Sequence, residues 1–202
     1  GLQEELLETI TAVGKPVVLV LSAGSAIDLS WAEEHVPAIL DSWYPGARGG
    51  KAVAEALFGD YAPNGKLPVT FYQGTENLPE FTDYSMAGRT YRYTDKNILY
   101  PFGYGLSYTT FDKQIENFKD NGDTVTFDVT VENTGSVAGK DVVEIYYTAP
   151  YTNGGIEKAA ANLIAFEKTD SIEPGESQTK SFTINKEDMA SYDSEGIKLS
   201  LI

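Results

Sequence analysis

The sequence predicts two architectures in series, an α/β part with a partial parallel sheet followed by an all-β sandwich. In the first half, segments with helical spacing alternate with short apolar runs, as in parallel sheets. In the second half, apolar residues recur at every other position in successive segments. Between the halves, the aromatic and glycine-containing segment 100–111, YPFGYGLSYTTF, is typical of a packed hinge and not of a flexible linker. We therefore place the two domains at residues 1–110 and 111–202.

The α/β part opens with an amphipathic helix that begins near Leu2 and can end at Gly14. Residues 16–21, PVVLVL, form a continuous apolar run, which predicts a strand covered on both faces. Residues 22–26, SAGSA, follow at its carboxyl end, where open α/β sheets place ligand-binding loops. An ordinary strand-to-helix turn is the alternative for this segment. A short helix is predicted next, over residues 29–36.

The remainder of the α/β part repeats this order. Residues 38–44 predict a strand that Pro45-Gly46 stops. Residues 49–58 place apolar side chains on one helical stripe, with Gly59 as the cap. A strand over 67–72 and a long loop over 73–97 complete the region.

The second half predicts an antiparallel β-sandwich of immunoglobulin or fibronectin-III type. Its clearest strand is centred on residues 125–131, where apolar residues alternate with threonine and aspartate. A turn is expected at 173–176, EPGE. Further strands are predicted over 142–147, 162–166, 178–184 and 197–202.

Composition excludes several classes of partner and site. Fifteen Lys and Arg oppose thirty Asp and Glu, and the net charge of −15 repels phosphate backbones and anionic membranes. We therefore expect neither a nucleic acid nor a membrane as partner. The absence of cysteine excludes disulfides and thiolate metal sites, which fits either a reducing cytoplasm or a secreted bacterial protein.

No catalytic constellation emerges from the residues themselves. The single histidine, His35, lies on a predicted helix and cannot build a histidine-rich metal site. No Gly-x-Ser-x-Gly elbow accompanies it, and the acidic clusters lack calcium-loop spacing. We predict no metal and no cofactor.

The hinge segment and a series of ordered motifs resemble family 3 glycoside hydrolases, the β-glucosidase and β-xylosidase family. YPFGYGLSYTTF resembles the segment that joins the α/β sandwich domain of that family to its fibronectin-III-like domain. The other matching motifs are SAGS at 22–25, AILDSWYPG at 38–46, GG at 49–50, LFGD at 57–60, PNGKLPVT at 63–70, SMAGRTYRY at 85–93, VENTG at 131–135, GKDVVE at 139–144 and PGE at 174–176.

The resemblance implies that this chain carries no catalytic residue. In the family, the nucleophile is an aspartate on a preceding barrel domain, and the acid/base is, in many members, a glutamate upstream of the segment that matches residues 2–7. Neither finds a matching position here. We therefore expect the non-catalytic portion of a retaining β-glycosidase that hydrolyses terminal β-linked glucose or xylose, inactive alone. Its partners would be the missing barrel, the rest of the sandwich domain and, through the parent enzyme, a β-glucoside or β-xyloside.

Sugars are often held by aromatic faces and planar hydrogen-bonding groups, which selects six substrate-adjacent candidates. Domain packing is the alternative role for them. The candidates are Trp43, Tyr44, Arg48, Arg89, Tyr91 and Tyr93. Arg48 departs from the family, in which Gln-x-Gly-Gly or Glu-Gly-Gly commonly follows the Tyr-Pro-Gly.

A stand-alone carbohydrate-binding or oligomerisation module is the alternative function, and a homo-oligomer is an open option. The glycosidase hypothesis predicts large exposed apolar patches on residues 1–110. The module hypothesis predicts a closed surface and measurable affinity for sugars.

Overall fold

The computed structural model describes residues 1–76, 78–193 and 198–199. The first half alternates helices with short strands, as expected. Its helices are α1 (Leu2–Thr11), α2 (Ser30–His35), α3 (Gly49–Phe58) and α4 (Thr90–Tyr93), and its strands are β1 (Val18–Leu21), β2 (Ala38–Asp41), β3 (Phe71–Tyr72) and β4 (Ile98–Tyr100). Among the residues described, no helix is long and apolar enough to cross a lipid bilayer.

Strands β1 and β2 pair in parallel, in register from Val18 opposite Ala38 to Leu21 opposite Asp41, which confirms the parallel sheet. The expectation that β1 is covered on both faces is wrong. Val18 and Val20 are 48% and 39% exposed, because only the opposite face packs on the local core. That core is a cluster of Leu29, Ala32, Val36 and Phe71.

Helix α3 occupies the predicted range, and Gly59 ends it in the left-handed conformation with φ 81°. The predicted strands over 38–44 and 67–72 are shorter in the structure, at β2 and β3. Strand β2 ends early because Trp43 adopts a positive φ of 49° that turns the chain. Strand β3 pairs with β4 in antiparallel fashion across the long loop.

The second half is the predicted sandwich. Its strands are β5 (Phe111–Asp120), β6 (Thr124–Asn133), β7 (Val142–Tyr147), β8 (Asn162–Lys168), β9 (Ser177–Asn185), β10 (Ser191–Tyr192) and β11 (Lys198–Leu199). Two sheets, β5-β6-β9 and β7-β8, enclose the core, and β10 pairs with β11. Of the strand predicted over 197–202, residues 198–199 are observed and the rest lies outside the described residues.

The sandwich core consists of alternate residues of β6 and β9, packed on one residue of β7 and on Ile172 between β8 and β9. Its buried members are Phe127, Val129, Val131, Val143, Ile172, Phe182 and Ile184. The period-two pattern of β6 is thereby confirmed. The expected turn is also present, because the Glu176 amide donates to the Glu173 carbonyl at 3.0 Å and Gly175 has φ 78°.

The hinge segment is fixed to the first half by backbone pairing. The Gly103 amide donates to the Leu67 carbonyl and the Leu67 amide to the Tyr104 carbonyl, both at 2.8 Å. The Lys66 ammonium donates to the Gly105 carbonyl at 2.8 Å. These contacts confirm the packed hinge, while the domain boundary at residue 110 stays a prediction.

The hinge is fixed to the sandwich through a buried asparagine. Asn133 is fully buried, and its side-chain oxygen accepts a 2.6 Å hydrogen bond from the Thr109 hydroxyl. Its amide donates to the carbonyls of Val137 and Ile172, each at 2.8 Å. All the polar atoms of this side chain are therefore paired, as burial requires.

An ion-pair network spans the two halves beside the hinge. The buried carboxylate of Asp141 lies between the ammonium groups of Lys66, at 3.3 Å, and Lys113. Burial alone would raise the pKa of Asp141, but the hydrogen bonds from Lys113 and the Val142 amide and the two lysine charges lower it below its ordinary value. Lys66 belongs to the first half, so this pairing joins the halves electrostatically.

Candidate functional site

Two loops meet at the carboxyl edge of the β1–β2 sheet. The Ser22 hydroxyl donates to the Trp43 carbonyl at 3.0 Å. The hydroxyl and the amide of Ser42 both donate to the Leu21 carbonyl, at 2.8 and 2.9 Å. These bonds hold the loop after β1 against the loop after β2, at the position where open α/β sheets bind ligands.

Trp43 and Tyr44 follow β2 at this edge and have different surroundings. The Trp43 amide donates to Asp41 Oδ1 at 3.1 Å, and its positive φ is uncommon for so bulky a residue. The indole packs edge-on against Phe71, with ring centroids 6.3 Å apart. Trp43 therefore joins the local core, whereas Tyr44 is 80% exposed.

The Tyr44 ring lies directly on Gly24. A Cβ atom at position 24 would come within 2.5 Å of the tyrosine ring, so the close approach requires glycine. The glycine supports one part of the ring and leaves most of it accessible. An accessible aromatic face of this kind can pack against the apolar face of a pyranose.

Arg48 immediately precedes α3 and is exposed. Within the described part of the chain, its guanidinium has no hydrogen-bond or ion-pair partner. The next residue, Gly49, is buried, and a Cβ there would come within 2.5 Å of the Pro45 ring. The five N–H donors of Arg48 can therefore reach hydroxyl oxygens outside the chain.

A cavity of about 210 Å³ adjoins the same edge, between β2, α3 and residues 61–65. Asp41, Tyr61 and Asn64 contribute polar groups to its wall. The Asn64 amide donates to the Tyr61 hydroxyl and to a backbone carbonyl. We did not predict these residues from the sequence. The signal available was the position of Asp41 at the carboxyl end of a predicted strand.

Arg89 organises the long loop instead of joining the edge. Its guanidinium donates to the carbonyls of Ser85, Glu80 and Asp83, at 3.2, 3.1 and 2.6 Å. Backbone and side-chain hydrogen bonds from Ser85, and then the charge of Arg89, lower the pKa of Asp83. The loop so fixed displays Phe81, which is 92% exposed.

Tyr91 lies at the contact between the two halves. Its ring stacks on Phe102, with centroids 4.5 Å apart, and meets Tyr146 edge-on at 5.9 Å. Its hydroxyl accepts a 3.1 Å hydrogen bond from the Leu163 amide. These are packing contacts, the alternative role considered for this residue.

Tyr93 is linked to the same contact through its neighbour. The Arg92 guanidinium lies 5.5 Å from the centre of the Tyr93 ring and donates to the Asn162 side-chain oxygen at 2.7 Å. In the described residues, no hydrogen bond, ion pair or ring contact joins Tyr91 or Tyr93 to Tyr44 or Arg48. The six candidates therefore divide into an edge group, Trp43, Tyr44 and Arg48, and a loop group, Arg89, Tyr91 and Tyr93.

His35 is engaged in helix packing. Its ring stacks on Trp31 with centroids 4.4 Å apart, and its Nδ1 lies 2.8 Å from the Trp31 carbonyl oxygen. Among the residues that the structure describes, no group of three His, Asp or Glu side chains could hold a metal ion.

Two family models match the chain in succession. The model of the glycosyl hydrolase family 3 C-terminal domain matches residues 1–108, and the model of the fibronectin type III-like domain matches residues 141–200.

Similar curated proteins are larger enzymes. A xylan 1,4-β-xylosidase of Xylanibacter ruminicola is 43% identical over 96% of this chain, which spans 22% of that protein. A periplasmic β-glucosidase of Salmonella typhimurium is 37% identical over 92% of this chain, which spans 26% of it. The chain therefore covers about a quarter of the length of these relatives.

Solved structures of larger β-glucosidases also contain a region that superposes on this chain. β-Glucosidase 3B of Thermotoga neapolitana superposes on 95% of this chain with a TM-score of 0.85 and 34% identity. The β-glucosidase of Kluyveromyces marxianus superposes on 96% with a TM-score of 0.87 and 31% identity. This chain covers 29% and 25% of those two structures.

Proposed function

The chain belongs to glycosyl hydrolase family 3, and we propose that it forms a non-catalytic part of a retaining enzyme that hydrolyses terminal β-linked glucose or xylose. In this role, the first half completes a sandwich domain whose other strands lie elsewhere in the parent protein. The β-sandwich packs on that domain beside the hinge and stabilises it. Catalytic carboxyl groups are supplied by the remainder of the parent.

The exposed apolar side chains of the first half carry this proposal. Leu2, Leu6 and Val13 of the α1 region are 85%, 59% and 70% exposed, and Phe58 at the end of α3 is 85% exposed. Helix α1 buries none of its residues completely. Apolar surface of this extent is typical of an interface and not of a closed module. It is the distribution that the glycosidase hypothesis predicts.

The edge group is the part that we assign to the substrate side of the parent enzyme. Tyr44 offers a ring face supported by Gly24, and Arg48 offers donors without a partner in the described chain. The two loops that carry them are fixed by Ser22 and Ser42, which reduces the ordering cost of contacting a sugar. The loop group supports this arrangement by fixing residues 80–93 on the sandwich.

Hydrolysis of aryl glycosides tests the proposal. We expect this chain alone to release no p-nitrophenol from aryl β-glucosides or β-xylosides, and the full open reading frame that contains it to release it from at least one. In the full protein, Tyr44→Ala should raise KM with little change in stability, since the side chain is exposed. Phe166→Ala, the matched control, removes an aromatic of β8 that is 70% exposed and lies outside the apolar surface of the first half, and it should leave KM for the substrate unchanged.

Two outcomes would contradict the proposal. Turnover proportional to the concentration of the isolated chain would show that it is itself an enzyme. An open reading frame that adds no further domain and has no activity, together with affinity of the chain for cello- or xylo-oligosaccharides, would favour the stand-alone module.

A further inference from the structure

Three asparagines of this chain are followed by glycine, at positions 64, 121 and 153. In an Asn-Gly pair, the backbone nitrogen of the glycine can attack the side-chain carbonyl carbon of the asparagine. Glycine favours this attack because it has no Cβ atom to obstruct the approach and its backbone is permissive. The local sequence is therefore equally reactive at the three positions, and only the structure distinguishes them.

Asn153 and Gly154 are free to react. Both residues are exposed, on the segment that joins β7 to β8. The turn is closed by the Gly155 amide, which donates to the Thr152 carbonyl at 2.8 Å, so the amide of Gly154 between them is not used. In the described chain, neither the Asn153 side chain nor the Gly154 nitrogen has a hydrogen-bond partner. Gly154 has a φ of 83°, in the left-handed region.

Asn121 and Gly122 are exposed as well, but their reacting groups are occupied. The Gly122 amide donates to Asp120 Oδ1 at 2.9 Å. A carboxylate that accepts this N–H disfavours its deprotonation, which is the step that makes the nitrogen nucleophilic. The Asn121 side-chain amide donates to the Thr126 hydroxyl at 3.2 Å, which holds the electrophilic carbon in place.

Asn64 is shielded by burial. Only 5% of this residue is exposed, and its side-chain amide donates to the Tyr61 hydroxyl and to the Ala62 carbonyl. Gly65 is held against the hinge, since its carbonyl lies where a Cβ of Gly105 would stand. The rearrangement to a ring is therefore opposed both by side-chain bonds and by close packing.

We propose that Asn153 is a site of spontaneous deamidation and that the fold protects Asn121 and Asn64. The Gly154 nitrogen loses its proton and forms a bond to Cγ of Asn153, and the Cγ–Nδ2 bond breaks, with the nitrogen leaving as ammonia. Water then opens the succinimide at one of its two carbonyls. The product is an aspartyl or an isoaspartyl residue at position 153, and only water is consumed, because the proton taken from the Gly154 nitrogen is returned to the departing ammonia.

The reaction changes the charge and the backbone of one loop. Each event makes the chain one unit more negative than its formal −15. The isoaspartyl product also lengthens the backbone inside the turn that Thr152 and Gly155 close. The same segment leads into Asn162, the partner of Arg92 across the two halves. Deamidation therefore changes the chain segment that connects β7 to a residue of this contact.

Peptide mapping of the aged protein tests the proposal, because each Asn-Gly pair falls in a separate tryptic peptide. The peptides are residues 52–66, 120–140 and 141–158. We expect native protein kept at mildly alkaline pH to gain the mass of deamidation first in peptide 141–158. In urea, where local structure is lost, the three peptides should react at similar rates. In the native protein, peptide 120–140 should react at least about tenfold more slowly than in urea.

Two variants separate protection by the carboxylate from a general effect of stability. Asp120→Ala frees the Gly122 amide. It should raise the rate of deamidation in peptide 120–140 without changing the rate in peptide 141–158. Lys186→Met removes the ion pair with Asp120 but keeps the hydrogen bond from the Gly122 amide to Asp120. This variant should leave both deamidation rates unchanged. Native deamidation of peptide 52–66 or 120–140 as fast as that of 141–158, or no effect of Asp120→Ala, would overturn the proposal.

Discussion

The two halves of the chain bury their apolar residues to different extents. In the sandwich, Val131 is fully buried and Val143 is 2% exposed, between sheets that cover each other. In the first half, Phe71 is as well buried, at 1% exposed, but α1 and one face of β1 stay open. The sandwich closes its own core, whereas the first half closes only one side of its sheet.

This difference indicates where the stability of the chain resides. Burial of apolar surface is the main favourable contribution to folding, so the sandwich is expected to supply most of it. The first half gains order from the hinge, from the Asp141 ion pairs and from the packing of Tyr91 on Phe102 and Tyr146. The following predictions test this asymmetry, from the largest expected effect to the smallest.

Truncation of a core aromatic in the sandwich should have the largest effect. Phe182→Ala removes a side chain that is 7% exposed and stacks on Phe127 at 5.5 Å. We expect a loss of about 3–5 kcal/mol in the free energy of unfolding, measured in urea. Phe166→Ala, on β8 but 70% exposed, is the control and should change it by about 0.5 kcal/mol or less. Equal effects would refute the assignment of the core.

Loss of the carboxylate that joins the halves should come next. Asp141→Asn leaves Lys66 and Lys113 facing a neutral group in a site where the Asp141 side chain is 8% exposed. We expect a cost of about 2 kcal/mol, below the range for fully buried pairs because both lysines are partly hydrated. Thermal unfolding measures it. Lys51→Met, which breaks an exposed pair with Glu55, should change stability by less than about 0.5 kcal/mol.

Close packing of the hinge gives a third, smaller effect. Gly105→Ala places a Cβ against the Gly65 carbonyl oxygen, so one of the two segments must shift. We expect a cost of about 1–2 kcal/mol in the unfolding of the first half, followed by its tryptophan fluorescence. Gly65→Ala meets nothing within 4 Å and should be nearly neutral. A neutral Gly105→Ala would show that the hinge tolerates displacement.

The Asp141 carboxylate should make the free energy of unfolding depend on pH. Because the folded-state pKa of Asp141 lies below its ordinary value of 3.8, its contribution is present above that value and is lost as pH falls through the folded-state pKa. The stability of the native protein should therefore fall more steeply in acid than that of Asp141→Asn. Urea titrations at a series of acid pH values compare the slopes. Parallel curves would exclude Asp141 as a contributor.

Polar substitution of exposed apolar residues should have the smallest effect on stability. Phe58→Ser alters a side chain that is 85% exposed, so the free energy of unfolding of the isolated chain should change by about 0.5 kcal/mol or less. Its self-association, measured by sedimentation, should decrease, because less apolar surface is open. A large loss of stability would mean that Phe58 packs within the chain.

Local sequence patterns predict those elements whose own residues carry a complete apolar period or a turn motif. Helix α3 and strand β6 carry a complete apolar period. Gly59 marks the end of α3, and Pro174-Gly175 marks the turn before β9. Strand β5 was not delimited from the sequence. Its residues are nearly all exposed, and a bulge near Asn117, with φ 54°, interrupts the alternation.

Contacts between distant segments could not be predicted from such patterns. The Tyr91 hydroxyl meets the Leu163 amide across 72 positions, and Arg92 meets Asn162 across 70. The same limit applies to the cover of β1, since an apolar run shows that a strand can be buried but not what buries it. The continuous apolar run VVLVL therefore predicts two covered faces, whereas one is open in this chain.

Hydrogen exchange, measured by mass spectrometry on the isolated chain and on the full open reading frame, tests the central claim most directly. We predict that the amides of α1 and of β1–β2 gain strong protection in the full protein, where other segments cover them, while those of β6 keep the protection that they have in the isolated chain. Equal protection of α1 and β1–β2 in both proteins would show that the first half is complete by itself and would contradict the account.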